Sequence, residues 1–246
     1  MRDMPEERSD AVTVAAIAIV AYALANVLHE GVGHGGACLL IGGRPIALSS
    51  VHFECEEGSR FVSAAGTIVN FIAAGISYLL MKRAPGRYFL WLFTTINLLM
   101  AAGYFLFSGI GNIGDWAAVF RDTAPPIVWR PILAIIGGAL YYFFARRAAI
   151  WAQPFADAKR LMMISYFTGG LLYCISGAFN PHGPLLIAIS AAAASFGGTS
   201  GLMWMDSFVP AGGERVVRRS VAWIVAGVIT AAVFIGVLGP SLSFRA

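Results

Sequence analysis

Six stretches of this chain contain no Asp, Glu, Lys or Arg: residues 11–28, 61–81, 88–114, 131–145, 161–205 and 221–244. About 20 apolar residues wound as a helix cross a hydrocarbon core of about 30 Å. In lipid the backbone must satisfy its own polar groups, so a spanning segment of this kind is a helix. The first stretch continues past His29 and Glu30 to residue 43. The longest exceeds a single crossing and holds two helices, broken at Asn180-Pro181-His182-Gly183-Pro184, where two prolines and a glycine stop propagation. This reading gives seven spans, the fourth of them short.

Composition agrees. The chain of 246 residues is 58% apolar and 12% charged, against about 25% charged in an ordinary soluble domain. A water-soluble enzyme, a disordered chain and a fibrous repeat are excluded. The net charge of +4 does not indicate nucleic acid, because the Lys and Arg lie in short clusters between apolar runs, as membrane anchoring requires. The expectation is one all-α polytopic membrane domain over residues 1–246, with about six or seven transmembrane helices and membrane lipid as its surroundings. The first span does not read as a signal peptide, since Arg2 and Arg8 are outweighed by Asp3, Glu6, Glu7 and Asp10. Cys38, Cys55 and Cys174 include no C-x-x-C pair and do not make a complete disulfide framework. One connection looks structured: in residues 43–60, Ile46, Leu48, Val51 and Phe53 alternate with polar residues, the period of a strand or hairpin.

The chemistry is concentrated in the first span, at His29-Glu30-Gly31-Val32-Gly33-His34. Ionisable groups in a membrane helix are costly and face a bundle interior or a cavity. In H-E-x-x-H, two histidines four apart share a helical face and bind Zn²⁺, and the Glu is the general base. Here the spacing is five. At about 100° per residue, five positions separate the imidazoles by about 140°. A π-bulge, which adds one residue to a turn, would restore a common face, and Gly31, Gly33, Gly35 and Gly36 make it inexpensive. The same H-E-x-x-G-H hexapeptide resembles the zinc motif of the dipeptidyl peptidase III family. A straight helix would instead pair Glu30 with His34. A third ligand is required; Asp115, in Asn112-Ile113-Gly114-Asp115-Trp116, is the first candidate, with His52 and His182 as competitors. The bland alternative for the cluster is a polar network satisfied between helices, and for Asp115 a helix cap. Haem is disfavoured, because ligands five apart on one helix cannot hold opposite sides of its ring. His52, Glu54, Cys55, Glu56 and Glu57 alternate along a strand and do not converge.

The order of these elements resembles the core of the site-2 protease family of intramembrane zinc metalloproteases. The zinc-motif helix is followed by a strand-like loop, then Gly66-Thr67-Ile68-Val69-Asn70, then Asn112-x-x-Asp115. The resemblance covers about residues 15–120, with further transmembrane helices over about 121–246. It implies His29, His34 and Asp115 as ligands of Zn²⁺, Glu30 as catalytic base, and Asn70 and Asn112 as groups that hold substrate backbone or line the site. It also implies hydrolysis of a membrane-embedded protein or peptide substrate, in a bacterial-type inner or cell membrane. Four departures stand out: the extra residue in the zinc motif, Thr67 where the family has proline, Trp116 where it has glycine, and a compressed spacing from Asn112 to Asp115. A catalytically inactive scaffold that keeps the architecture is the alternative.

Seven spans with the N-terminus inside put Arg2, Arg8, Lys82, Arg83, Arg87, Arg146, Arg147, Lys159, Arg160, Arg215, Arg218 and Arg219 on the inner side. Arg44, Arg60, Arg121, Arg130 and Arg245 fall outside. The positive-inside rule supports this orientation, whereas the family resemblance implies a site that opens toward the cytosol.

Overall fold

The computed structural model describes residues 8–84, 87–123, 125–181 and 189–244. Asp10 caps the first helix, its carboxylate accepting from the Thr13 N–H at 2.9 Å and the Thr13 hydroxyl at 2.7 Å. Helix α1 (Ala11–Val27) runs without interruption into a π-helical segment (Leu28–Gly35) and then α2 (Gly36–Leu40). Strands β1 (Pro45–Leu48) and β2 (Phe53–Cys55) follow as an antiparallel hairpin with a bulge near its open end. Ser59 then caps α3 (Arg60–Arg83). The remaining helices are α4 (Tyr88–Gly111), α5 (Asp115–Phe120), α6 (Pro126–Trp151), α7 (Ala158–Ala178) and α8 (Val221–Val233), the last extended by a π turn at Phe234–Leu238. Among the described residues six helices are long and apolar enough to cross a membrane. The chain is an integral membrane protein, all-α but for a small sheet.

Helix α4 is central, packed by α3, α6 and α1. Trp91, Leu92, Ile96, Leu99 and Met100 on α4 are buried together with Tyr22 of α1 and Tyr173 of α7. Hydrogen bonds fix the two ends of the bundle. At one, the Ser9 hydroxyl donates to Asp157 at 2.7 Å, the Asp10 N–H donates to the Val217 carbonyl, and Lys159 pairs with Asp206 at 3.4 Å. At the other lie the hairpin, the start of α3 and the end of α8, where the Ser50 N–H donates to the Leu238 carbonyl.

Three boundaries differ from the sequence expectation, each for a physical reason. The short fourth span is the 26-residue helix α6. Its flanking charges leave the bilayer without ending the helix, because Arg130 donates to the Gly109 and Ile110 carbonyls and Arg146 lies over the Phe208 ring. The sixth span is not a regular helix among the described residues. From residue 189 to Phe208 the chain is a single α-helical turn (189–192) that passes into a π turn (Ala193–Gly197), followed by two 3₁₀ turns. Of the expected break at 180–184, Asn180 and Pro181 are described; His182 lies outside the described residues. The last span ends at Leu238, and the residues beyond it include β3 (Leu242–Ser243), which pairs antiparallel with β1. The sheet order is β2-β1-β3, so β2 is an edge.

Candidate metal centre

The π segment supplies the common face that a regular helix denies to residues five apart. Its hydrogen bonds run i→i+5, so His29 and His34 stand one turn apart. Their Nε2 atoms approach to 3.2 Å. Gly33 makes this turn compatible with α3. A Cβ at Gly33 would fall 2.6 Å from the Gly66 Cα, so only a glycine pair permits the two helices to touch here. That contact brings three parts of α3 to the histidines: Val62, Gly66 and Asn70.

The tautomers follow from groups that can only accept. His34 Nδ1 faces the Val62 carbonyl at 2.7 Å and must donate to it. For His29 the constraint is relayed. The Phe93 carbonyl accepts from Asn97 Nδ2, which turns Asn97 Oδ1 to Asn70 Nδ2 at 2.7 Å and Asn70 Oδ1 to His29 Nδ1 at 2.5 Å. His29 Nδ1 therefore donates as well. Both protons lie on Nδ1, and both Nε2 atoms present lone pairs to the same point. Tyr104 stacks on the His29 ring with centroids 4.4 Å apart and holds its plane.

Asp115 completes the group. Asn112 ends α4 in the left-handed conformation (φ 57°), and Gly114, at φ 89°, turns the chain into α5 so that Asp115 opens it. Its Oδ2 lies 3.2 Å from His29 Nε2 and 3.5 Å from His34 Nε2. That oxygen is buried and accepts no hydrogen bond. Two lone pairs and a carboxylate oxygen thus form a nearly equilateral triangle. Ligands about 2.05 Å from a tetrahedral ion are about 3.3 Å apart, so a divalent ion fits the three atoms. In part a proton on an imidazole meets the same need.

Of the residues singled out in the sequence, His29, His34 and Asp115 converge. Glu30 is buried and lines the adjoining cavity of about 860 Å³ with His34 and Asp115. Asn70 is fully buried, with its oxygen on His29 and its amide on Asn97; the structure places it behind His29 and not at the cavity. Asn112 is exposed at the end of α4. His52 is exposed, lines the cavity and is not among the converging residues. Thr67 and Trp116 are partners, the indole N–H donating to the Thr67 hydroxyl at 3.2 Å. The two departures from the family pattern thereby join α3 to α5 next to Asp115.

Sequence reasoning passed over Asn97. Its signal was present, an amide in mid-span among Thr94, Thr95 and Ile96, since polar groups at that depth are placed for a purpose. Replacing Asn97 with Leu leaves the Asn70 amide unpaired and frees the His29 ring to turn. Metal affinity, measured by competition with a chromophoric chelator, is expected to fall about 10- to 100-fold, with the helical content unchanged. Comparison with protein-family models, curated proteins and solved structures finds no match for this chain.

Proposed function

We propose that this chain is an intramembrane zinc metalloprotease, similar in kind to the site-2 proteases, that hydrolyses a peptide bond within or next to a membrane-embedded substrate. One observation carries the reading: two imidazole lone pairs and an orphaned carboxylate oxygen converge at tetrahedral spacing on the wall of a large cavity. Two His and one carboxylate with an open fourth position are the donor set of catalytic zinc. His29, His34 and Asp115 would hold the ion, and Zn²⁺ bound there would supply Lewis-acid chemistry, polarising a carbonyl and lowering the pKa of a water to about 7.

The other roles belong to the chain. Glu30 takes a proton from the attacking water and delivers it to the departing amine. Asn70 and Asn97 keep the His29 lone pair aimed, and the Val62 carbonyl does the same for His34. A peptide bond in a helix is shielded by its own hydrogen bonds, so the substrate is bound extended. Strand β2, a sheet edge whose residues Phe53, Glu54 and Cys55 line the cavity, offers main-chain partners for it by strand addition.

Metal analysis of purified protein tests the reading. About one zinc per chain is expected in the wild type and in Glu30→Gln, and none in His34→Ala. Zinc absent from wild type purified without chelator would overturn the protease in favour of a non-catalytic scaffold.

A further inference from the structure

We propose that the His29–His34–Asp115 centre opens on the oxidising, non-cytoplasmic side of its membrane. On the proteolytic reading, its substrate is then a polypeptide segment that leaves the bilayer on that side. Two independent features of the fold support this, and neither involves the metal.

The first is a disulfide. Cys38, buried in α2 one turn beyond the ligand His34, is bonded to Cys55 at the end of β2. The bond ties the metal helix to the edge strand of the cavity, and Cys55 itself lines that cavity. Forming it from two thiols releases two protons and passes two electrons to a thiol–disulfide oxidant. Such oxidants act in secretory or periplasmic compartments, whereas cytosolic thiols are kept reduced. The remaining cysteine, Cys174, lies within α7 and is free.

The second is the charge at the two ends of the bundle. The end away from the site gathers Arg8, Lys82, Arg83, Arg87, Arg146–Arg147, Lys159–Arg160 and the arginines ahead of α8. The site end has four cationic residues among those described: Arg44, Arg60, Arg121 and Arg130. Two of these have local partners. Arg44 pairs with Glu56 at 3.1 Å, and Arg130 donates to the Gly109 and Ile110 carbonyls at the end of α4. Cationic residues near span ends concentrate on the cytoplasmic side. The ends are assigned here by contacts and not by counting spans: Ser9 to Asp157 and Asp206 to Lys159 at one, Ser50 to Leu238 at the other. The irregular crossing from residue 189 to Phe208 therefore does not disturb the assignment.

The test uses the full chain in intact cells, with Cys174→Ser as background and a membrane-impermeant maleimide as probe. Asp122→Cys places a thiol in the exposed turn after α5, at the site end; Ala211→Cys places one in the exposed loop before α8. Labelling of Asp122→Cys in intact cells is expected, and labelling of Ala211→Cys only after permeabilisation. The reverse pattern, or equal labelling of both, overturns the proposal. In a second measurement, thiols of the wild-type protein are trapped by acid quench and alkylated. One alkylated cysteine before reduction and three after it are expected; three before reduction overturn the proposal. Neither readout depends on metal or on cleavage, so either can fail while the protease reading stands, and the converse holds.

Discussion

Glu30→Gln should fold, retain its zinc and cleave about 10²- to 10⁴-fold more slowly, the range that a positioned acid–base group contributes. The amide matches the carboxylate in volume, so the buried wall of the cavity that Glu30 shares with His34 and Asp115 is undisturbed. The proton acceptor is lost. Rate is read as kcat/KM on a membrane-inserted peptide in detergent or bilayer, alongside metal content. A variant that keeps its metal and its rate would remove Glu30 from the chemistry. A variant that loses its metal would make Glu30 a ligand, as the straight-helix reading of the motif requires.

Gly66→Ala is expected to abolish stable metal binding although it adds a single methyl group. The new Cβ would stand 2.6 Å from His34 Nε2 and 2.7 Å from His29 Nε2, in the space that the lone pairs face. Helix α3 has no easy retreat. Its backbone at Gly66 is pressed against Gly33, and moving it away would take the Val62 carbonyl and Asn70 from the rings they orient. Overpacking of this kind costs about 1–3 kcal/mol, or about 5- to 150-fold in affinity, before the loss of ring alignment is added. Chelator competition reads the effect. Gly75→Ala on the same helix, with nothing within 4 Å of the added carbon, is the control and should bind as the wild type. Equal affinity in the two variants would show that the triangle of donors is not where the ion sits.

The π-helical segment that brings His29 and His34 together was readable in the sequence because its anomaly is local. Two histidines five apart with four nearby glycines leave a π turn as the way to a shared face, and the chain adopts it over eight residues. The hairpin was readable for the same reason, since its alternation is contained within a few residues. What escaped depends on contacts between distant parts of the chain. Asn97 meets Asn70 across 27 positions and Trp116 meets Thr67 across 49. Cys38 and Cys55 are brought together by the fold of the loop between them, so cysteine spacing alone gave no pairing. A charge-free window also trimmed α6, because it treats an arginine that reaches back to a carbonyl as the end of a helix. The role first attached to Asn70 shows the limit most clearly. The family resemblance made it a group that holds substrate backbone or lines the site, yet which side of His29 it occupies depends on α4, which no reading of α3 alone contains.

The strand formed by Leu242 and Ser243 gives the tail of the chain a bearing on selectivity. By pairing with β1 on the side away from β2, it makes β1 the inner strand and leaves the sheet two margins of unequal length, β2 and the two-residue β3. Only β2 borders the cavity, so on the proteolytic reading a backbone that seeks more than a residue or two of pairing is steered to Phe53–Cys55.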